Sequence, residues 1–206
     1  MLGYTKINLI DMLEMVEYDK VMDIVSGFSC PYNKDVEEFL QIKAMEFSKQ
    51  RLASVYLVFA SYKEKPALVG YFALAQKYFH VDVSKGGSVG SSLRRRIKKF
   101  AVYDESIRKC IISAPLIGQL GKNYTNGYDK LITGDELLKI ACDTVKEAQR
   151  ILGGKLVYLE CEDVPSLIKF YEDNGFSCFG KRKLDGDERD KIKGQYLIQM
   201  MKYLGN

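Results

Sequence analysis

A long loop that leads into a helix is the first feature of the sequence with the means to bind a ligand. The pattern predicts a strand over 109–120, a loop over 121–133, a helix over 133–154 and a strand over 155–162. A helix start presents free backbone N–H groups and the positive end of the helix dipole, which together suit a pyrophosphate. An ordinary loop and helix fits the same pattern, because two acidic residues in the first turn already partly satisfy the dipole.

Five basic residues on one short predicted helix are the second such feature. They are Arg94, Arg95, Arg96, Lys98 and Lys99, and the other 26 of the 31 basic residues nearly balance the 27 acidic ones. The cluster lies in a Gly/Ser-rich loop and basic helix insert at about 82–101. Such a patch is suited to the phosphates of RNA or of a nucleotide-linked substrate. A solvated helix face is the alternative interpretation.

Three other patterns do not predict a site. Residues 175–182, GFSCFGKR, are similar to a phosphate-binding loop, but a helix precedes them and a strand follows, which reverses the required order. The GGSVG run at 86–90 reads as a plain loop, and no spacing argument pairs a cysteine with the lone His80 as a nucleophile. With one histidine and no CxxC pair, no metal site is expected.

Length and cysteine usage predict one domain in the cytoplasm. A chain of 206 residues is of ordinary size for a single domain. The five cysteines are odd in number, widely spaced and mostly set in apolar runs, as expected of reduced thiols. The N-terminus lacks the pattern of a signal peptide, and the longest apolar run, 67–75, is shorter than the roughly 20 residues that a membrane helix requires. We therefore expect a cytoplasmic protein that does not contact a membrane.

The spacing of apolar residues predicts the elements that position these features. The N-terminal part should contain a strand at 4–10, a helix at 11–25, a helix from an Asn33 cap to about 51, and a hairpin of strands at 55–62 and 67–79. Further along, Ser92 should cap the basic helix, and Pro115 should interrupt the strand over 109–120 with a bulge or break.

The remaining elements complete a mixed sheet. Thr133 to Glu136 spells a capping box, and Pro165 opens a short helix that Asn174 and Gly175 close. A final hairpin should form around the charged turn at 185–191. The predicted fold class is α/β (α+β), with a mixed, mostly antiparallel β-sheet and helices on both of its faces.

The stretch from about Ile111 to Phe179 resembles the GNAT acetyltransferase superfamily. The resemblance is clearest in SLIKFYEDNGF (166–176), which directly follows the strand LVYLEC. It implies a single GNAT-like acyltransferase domain over residues 1–206, with acetyl-CoA as acyl donor. It also places Tyr171 where the family often has the tyrosine that protonates the departing CoA thiolate. Phenols titrate near 10, so Tyr171 would carry that proton at neutral pH; a core aromatic on a helix is the alternative role.

The same resemblance implies a set of cofactor-binding residues. The family loop (Q/R)-x-x-G-x-(G/A) falls on Asp129, Lys130, Leu131, Ile132, Thr133 and Gly134, and keeps only the last small residue. Val164 stands where the family has an asparagine after the following strand. Pantetheine pairing falls on the backbone of Leu120, Gly121 and Lys122, and Ser166 and Lys169 are further cofactor contacts.

The resemblance predicts an acetyl-CoA-dependent N-acyltransferase that acts on a primary amine, either a small molecule or an RNA-linked acceptor. Arg94, Arg95, Arg96, Lys98 and Lys99 are then candidate contacts to the acceptor or to RNA. No general base stands out among Glu160, Glu162 and His80. The alternative is a noncatalytic RNA- or protein-binding module on a degenerate acetyltransferase scaffold. Whether enzyme or noncatalytic module, the protein is expected to be a monomer or a homodimer.

Overall fold

A computed structural model of the chain describes residues 3–84, 89–186, 188–189 and 194–205. The strands among these residues are β1 (Tyr4–Asn8), β2 (Ser54–Tyr62), β3 (Lys65–Val81), β4 (Val102–Asp104), β5 (Lys109–Lys122), β6 (Leu156–Glu162), β7 (Ser177–Lys183) and β8 (Tyr196–Tyr203). The α-helices are α1 (Leu9–Met15), α2 (Tyr18–Ser26), α3 (Lys34–Glu38), α4 (Ala44–Lys49), α5 (Ser91–Ile97), α6 (Gly134–Leu152) and α7 (Pro165–Asp173).

The described strands form one mixed sheet in the order β1-β2-β3-β5-β6-β8-β7, with β4 paired to β5. β1 and β2, β2 and β3, β4 and β5, β6 and β8, and β7 and β8 are all antiparallel pairs. Both predicted hairpins are present, since β2 pairs with β3 up to Tyr62 and Lys65, and β7 pairs with β8. The chain divides into two compact units, which are Met1–Ala75 with Ile117–Ala141, and Gln76–Leu116 with Cys142–Asn206.

In the first unit, helices lie on both faces of the strands. A Cβ added at Gly70 in β3 would lie 3.0 Å from Leu137 of α6. The next residue, Tyr71, is fully buried, and its ring contacts Phe28 and Phe39 at centroid distances of 5.1 and 6.4 Å. Successive strand residues point to opposite faces, so Gly70 faces α6 on one side of the sheet and Tyr71 faces Phe28 and Phe39 on the other. The prediction that both faces are covered is therefore correct for this unit.

The first predicted helix, 11–25, is wrong in one respect, because two helices occupy it. Asn8 ends β1 early and caps α1, where its side chain accepts from the Ile10 N–H at 2.9 Å. The helix stops at Val16, whose φ of −131° and ψ of 140° are extended. A β-branched residue favours that conformation, and the helix resumes only at Tyr18.

The second predicted helix is capped by Asn33, as expected, with its side chain accepting from the Val36 N–H at 3.1 Å. It is not one regular helix, however, because a π-helical segment, Phe39–Lys43, separates α3 from α4. This segment places Phe39 and Leu40 in the core of the unit. Apolar spacing of three to four residues does not distinguish the α-helical from the π-helical form.

In the second unit, aromatic rings and an ion-pair cluster hold β6, β7 and β8 together. Phe79 of β3 contacts Tyr158 and Phe179 at centroid distances of 4.2 and 4.9 Å. At the surface, Arg182 of β7 donates to Glu160 at 2.9 Å and pairs with Glu188 at 2.8 Å. The carboxylate of Glu160 is therefore occupied by a structural ion pair.

One expectation for the insert needs correction, and so does the predicted break in its neighbouring strand. Gly90, not Ser92, precedes α5 as its cap residue, and no side chain caps the helix. β5 runs from Lys109 to Lys122 through Pro115 without a break in the assigned strand. Proline dihedrals suit an extended strand, and only one backbone donor is lost there. Residues 85–88 of the predicted loop, and parts of the turn at 185–191, lie outside the described residues.

Within the described ranges, no helix is both long enough and apolar enough to cross a bilayer. The same residues contain no group of three or more His, Cys, Asp or Glu side chains arranged to hold a metal ion.

Candidate functional site

The predicted cofactor loop is held in place by the last residue of β5. The Lys122 ammonium donates to the carbonyl of Asp129 at 3.0 Å and to that of Ile132 at 3.3 Å. A 3₁₀ segment, Thr125–Leu131, forms most of the loop, and Asn126 and Gly127 adopt positive φ within it. The Lys122 side chain thus fixes the loop from within, while the side chain of Lys130 is exposed.

The predicted capping box at the start of α6 is present. The Thr133 N–H donates to the Glu136 carboxylate at 2.8 Å, and the Glu136 N–H donates to the Thr133 hydroxyl at 3.1 Å. The hydrogen bonds from Thr133 lower the pKa of Glu136, so this side chain stays ionised. The Tyr4 hydroxyl of β1 donates to the Leu131 carbonyl at 3.0 Å and holds the preceding turn. Two backbone donors near the helix start are therefore already occupied, and the nearby Gly134 has no side chain to obstruct a ligand.

The predicted pantetheine segment, Leu120 to Lys122, ends β5 and packs against α3. A Cβ added at Gly121 would overlap the Val36 side chain of α3 and would lie 3.4 Å from the Phe28 ring. Only glycine fits this close approach. The Tyr71 hydroxyl donates to the Val36 carbonyl at 2.5 Å, which fixes α3 against the strand.

A buried polar network that the sequence analysis missed joins the same strand end to residues 27–37, which comprise the loop before α3 and most of α3 and are called the loop at 27–37 below. Asn123 is 3% exposed; its side-chain oxygen accepts from the backbone N–H groups of Ser29 and Thr125, both at 3.0 Å. Its amide donates to the Leu68 carbonyl at 2.9 Å. The Glu37 carboxylate accepts from the Ser29 hydroxyl at 3.0 Å and from the Cys30 N–H at 2.6 Å. The only sequence signal was a polar residue directly after a strand.

This loop brings further polar and aromatic groups beside the predicted pantetheine segment. Gln119, one residue before Leu120, donates to the Asp35 carboxylate at 2.9 Å. Tyr32 is 81% exposed, and its ring contacts that of Tyr124 at a centroid distance of 5.0 Å. This segment therefore places two carboxylates and the exposed Tyr32 ring, packed on the half-buried Tyr124, near the end of β5.

A cavity of about 660 Å³ also lies in the first unit. It is bounded by β1, by the turn between β2 and β3, and by residues from Asn123 to Tyr128. None of the residues predicted for the cofactor lines it. Its size is typical of small-molecule sites, but it is distinct from the segment that the family resemblance selects.

In the second unit, Tyr171 lies on α7, the helix that follows β6. It is 9% exposed, and its ring contacts those of Phe170 and Phe176 at 5.0 and 5.8 Å. Burial, and secondarily the neighbouring Cys161, raise the pKa of the Tyr171 phenol above its ordinary value. The same surroundings raise the pKa of the Cys161 thiol to about 12, mainly through burial. Tyr171 is therefore a phenol that keeps its proton over the physiological pH range.

The other predicted residues of α7 lie at its exposed surface. Ser166 is exposed, and Lys169 pairs with Asp173 at 3.0 Å across one helical turn. Val164, which precedes the helix, makes no side-chain cap. Exposed pairs of this kind contribute little stability, so Lys169 is available to exchange Asp173 for a ligand.

The candidate general bases differ in their surroundings. Glu160 is paired with Arg182 and also accepts from Gln199 at 2.9 Å. His80 is exposed, and its ring contacts that of Tyr78 at 6.1 Å. Glu162 is half-buried on β6. The Glu160 carboxylate is held in an ion pair and is therefore a poor candidate for the base.

The fold resembles solved structures of bacterial toxins. One crystal structure of a bacterial toxin gives a TM-score of 0.63 at 14% identity, covering 99% of this chain and 92% of that one. AtaT complexed with acetyl-methionyl-tRNAfMet gives 0.59 at 16% identity, with 95% and 94% covered. A Tyr-to-Phe variant of AtaT bound to acetyl-CoA and the C-terminus of the antitoxin AtaR gives 0.53 at 15% identity, with 95% and 92% covered.

The sequence matches no protein-family model and no curated protein. The structural likeness nevertheless extends over nearly the whole chain, and it confirms the predicted fold. The chain has a GNAT-like fold, a mixed α/β architecture with a mostly antiparallel sheet.

Proposed function

We propose that the chain is an acetyl-CoA-dependent N-acetyltransferase that acts on a primary amine in the cytoplasm. The observation that carries this proposal is the GNAT fold with a buried, protonated tyrosine on the helix after β6. Solved structures of the same fold include one with acetyl-CoA and one with acetyl-methionyl-tRNA. These complexes support acetyl transfer from CoA, with an amine carried by RNA as the favoured acceptor class.

Residues at two places in the chain would bind acetyl-CoA. The backbone of Leu120, Gly121 and Lys122 would pair with pantetheine, and residues 129–134 would hold the diphosphate. The anchored loop and the small Gly134 favour a close approach of the diphosphate to the start of α6. Ser166 and Lys169, exposed on α7, would make further contacts.

Acetyl-CoA supplies the acetyl group as a thioester. The chain supplies the proton for the departing sulfur: the Tyr171 O–H donates it as the carbon–sulfur bond breaks. A raised phenol pKa makes Tyr171 a weaker acid, but apolar surroundings raise the basicity of a thiolate as well. Burial likewise raises the pKa of the nearby Cys161 thiol to about 12. Burial thus shifts the proton donor and a sulfur acceptor in the same direction.

The acceptor amine must lose a proton before it attacks, because amines of the lysine type are protonated at neutral pH. The loop at 27–37 is the proposed approach for this amine, since it places the Asp35 and Glu37 side chains beside the end of β5. Carboxylates there would attract the ammonium form. Water is the proposed proton acceptor, since Glu160 is held by Arg182.

Thermal unfolding with acetyl-CoA separates the enzyme from the alternative, a noncatalytic module on the same scaffold. A ligand at about 100 times its Kd stabilises the folded state by about 2.7 kcal/mol. For a chain of this size the melting temperature should rise by roughly 5–10 °C. Acetyl phosphate, which carries the acetyl group without CoA, is the control and should cause no shift. An unchanged melting temperature in millimolar acetyl-CoA would favour the noncatalytic module.

A further inference from the structure

The basic residues 94–99 do not all have the same role. Arg94 turns inward: its guanidinium donates to the Val89 carbonyl at 2.9 Å, and its Nε is buried without a partner among the described residues. Arg95, Arg96, Lys98 and Lys99 are all exposed. α5 and the two residues after it therefore present four cations to solvent.

Aromatic rings continue this cationic surface. The Arg96 guanidinium lies 4.5 Å from the centre of the Tyr203 ring, in cation–π contact. The Tyr203 ring is 6.5 Å from that of Phe100, which is 40% exposed and follows α5 closely in the chain. The exposed cations of this surface thus lie next to an exposed aromatic ring, that of Phe100.

Phe100 also lines a cavity of about 260 Å³ within the second unit. The rest of the lining is contributed by Gln76 of β3, by Ser113 and Pro115 of β5, and by Ala148, Gln149, Leu152, Gly153, Gly154, Lys155 and Leu156. The Gln76 amide donates to the Ser113 hydroxyl at 2.8 Å. The cavity is smaller than the roughly 300–1,000 Å³ of drug-sized sites, and combines an aromatic face with amide, hydroxyl and cationic groups.

We propose that this cavity receives one base of a single-stranded RNA segment whose phosphates bind Arg95, Lys98 and Lys99. This proposal rests on the proposed function. The protein would then bind the RNA part of the acceptor in addition to the reacting amine. A base would stack on Phe100, while the Gln76 amide and the Ser113 hydroxyl would bind its polar edge. A base paired in a duplex has no free face or edge to enter such a cavity, so single strands are the substrate class.

Fluorescence anisotropy with a labelled single-stranded oligonucleotide of about ten nucleotides tests this proposal, because single-strand sites usually span 4–16 nucleotides. Phe100→Ala should weaken binding by roughly 5- to 160-fold, which is the range expected for one lost stacking contact of about 1–3 kcal/mol. Phe100→Tyr keeps an aromatic ring and should retain most of the affinity for the oligonucleotide. Ile151 is exposed and lies outside the cavity lining, so Ile151→Ala should leave the affinity unchanged. Equal binding by Phe100→Ala and the wild type would overturn the proposal.

The phosphate contacts have a separate signature. The double charge reversal Arg95→Glu with Lys98→Glu should reduce the slope of log K against log salt concentration by at least about 1.4, because each phosphate contact on a single strand contributes about 0.7. Lys20→Glu with Lys146→Glu, two exposed cations elsewhere, should leave the slope unchanged. An unchanged slope in the Arg95→Glu, Lys98→Glu variant would contradict the proposal. Equal affinity of the wild type for the single strand and for a duplex of the same sequence would also contradict it.

Acetyl transfer to small amines and to aminoacylated tRNA is measured in parallel. If transfer occurs but RNA does not bind, the base-binding proposal fails and the proposed function stands. If the expected pattern of RNA binding appears without any acetyl transfer, the proposed function fails, and the proposal that the cavity binds an RNA base stands. Circular dichroism of Phe100→Ala, with Gln76→Ala as a second variant at an exposed position of the lining, separates loss of binding from loss of folding.

Discussion

Replacing Tyr171 with phenylalanine should lower turnover on an accepted amine by about 10²-fold or more, since this is the usual contribution of a general acid. The affinity for acetyl-CoA should stay nearly unchanged, because the ring and its contacts with Phe170 and Phe176 remain. Steady-state kinetics with saturating acetyl-CoA measures this directly. A variant with full turnover would remove Tyr171 from the mechanism.

Tyr158→Phe is the matched control for this experiment. Tyr158 is also buried in the second unit, at 2% exposure, and burial raises the pKa of its phenol too. It lies on β6, outside the segment SLIKFYEDNGF (166–176) that contains Tyr171. Turnover should therefore stay within about threefold of the wild type in Tyr158→Phe. An equal loss in both variants would indicate damage to the core and not the loss of a proton donor.

The pH profile gives an independent test of the same residue. The phenol has a pKa above its ordinary value in the folded chain, so it remains protonated as the pH rises from 7 to 10. The rate should consequently rise or stay level across this interval, as the acceptor amine loses its proton. A fall that begins below pH 9 and is absent in Tyr171→Phe would show that Tyr171 ionises too early for the proposed role.

The second large effect is expected from Asn123→Ala. This change leaves the backbone N–H groups of Ser29 and Thr125 and the carbonyl of Leu68 without their partner. Each unsatisfied buried group costs about 1–3 kcal/mol, and partial access of water reduces the sum. We expect the free energy of unfolding, measured by urea titration, to fall by about 2–4 kcal/mol.

Thr125→Val is the control for Asn123→Ala, because it removes one side-chain hydrogen bond, to the Gly27 carbonyl at 2.7 Å, and keeps the volume. It should cost about 1 kcal/mol. If Asn123→Ala costs no more than this control, the network does not hold the loop at 27–37 to the strand end. The loop would then need another anchor to contribute to acceptor binding.

Local signals account for the parts of the fold that were predicted correctly. The capping box at Thr133, the Asn33 cap and the two hairpins depend on residues close together in sequence, and all are present. Their chemistry is complete within a few residues. The segment SLIKFYEDNGF was predicted as a short helix for the same reason, and α7 occupies it.

The errors arose where distant contacts determine the local conformation. Nothing in the spacing around Val16 distinguishes one helix from two, and the π-helical segment at Phe39–Lys43 keeps the same apolar face as a regular helix would. Strand β5 continues through Pro115, where local rules favoured a break. Pairing with neighbouring strands outweighs one missing donor.

The candidate site was predicted only in part for a related reason. A motif could select Tyr171 and the loop at 129–134, because the family keeps their spacing. The role of Lys122 in anchoring that loop, and the network around Asn123 and Glu37, depend on hydrogen bonds between residues far apart in sequence. Such bonds have no pattern that spacing alone reveals.

Mass spectrometry of acceptors incubated with acetyl-CoA and the protein tests the central claim most directly. The acceptors are aminoacylated tRNAs, polyamines, free amino acids and peptides, each with a sample in which the amine is blocked. The account predicts that at least one free amine gains a single acetyl group, with an equal amount of CoA released, and that Tyr171→Phe greatly slows this gain. Unmodified amines throughout, from protein that is folded and bound to acetyl-CoA, would contradict it.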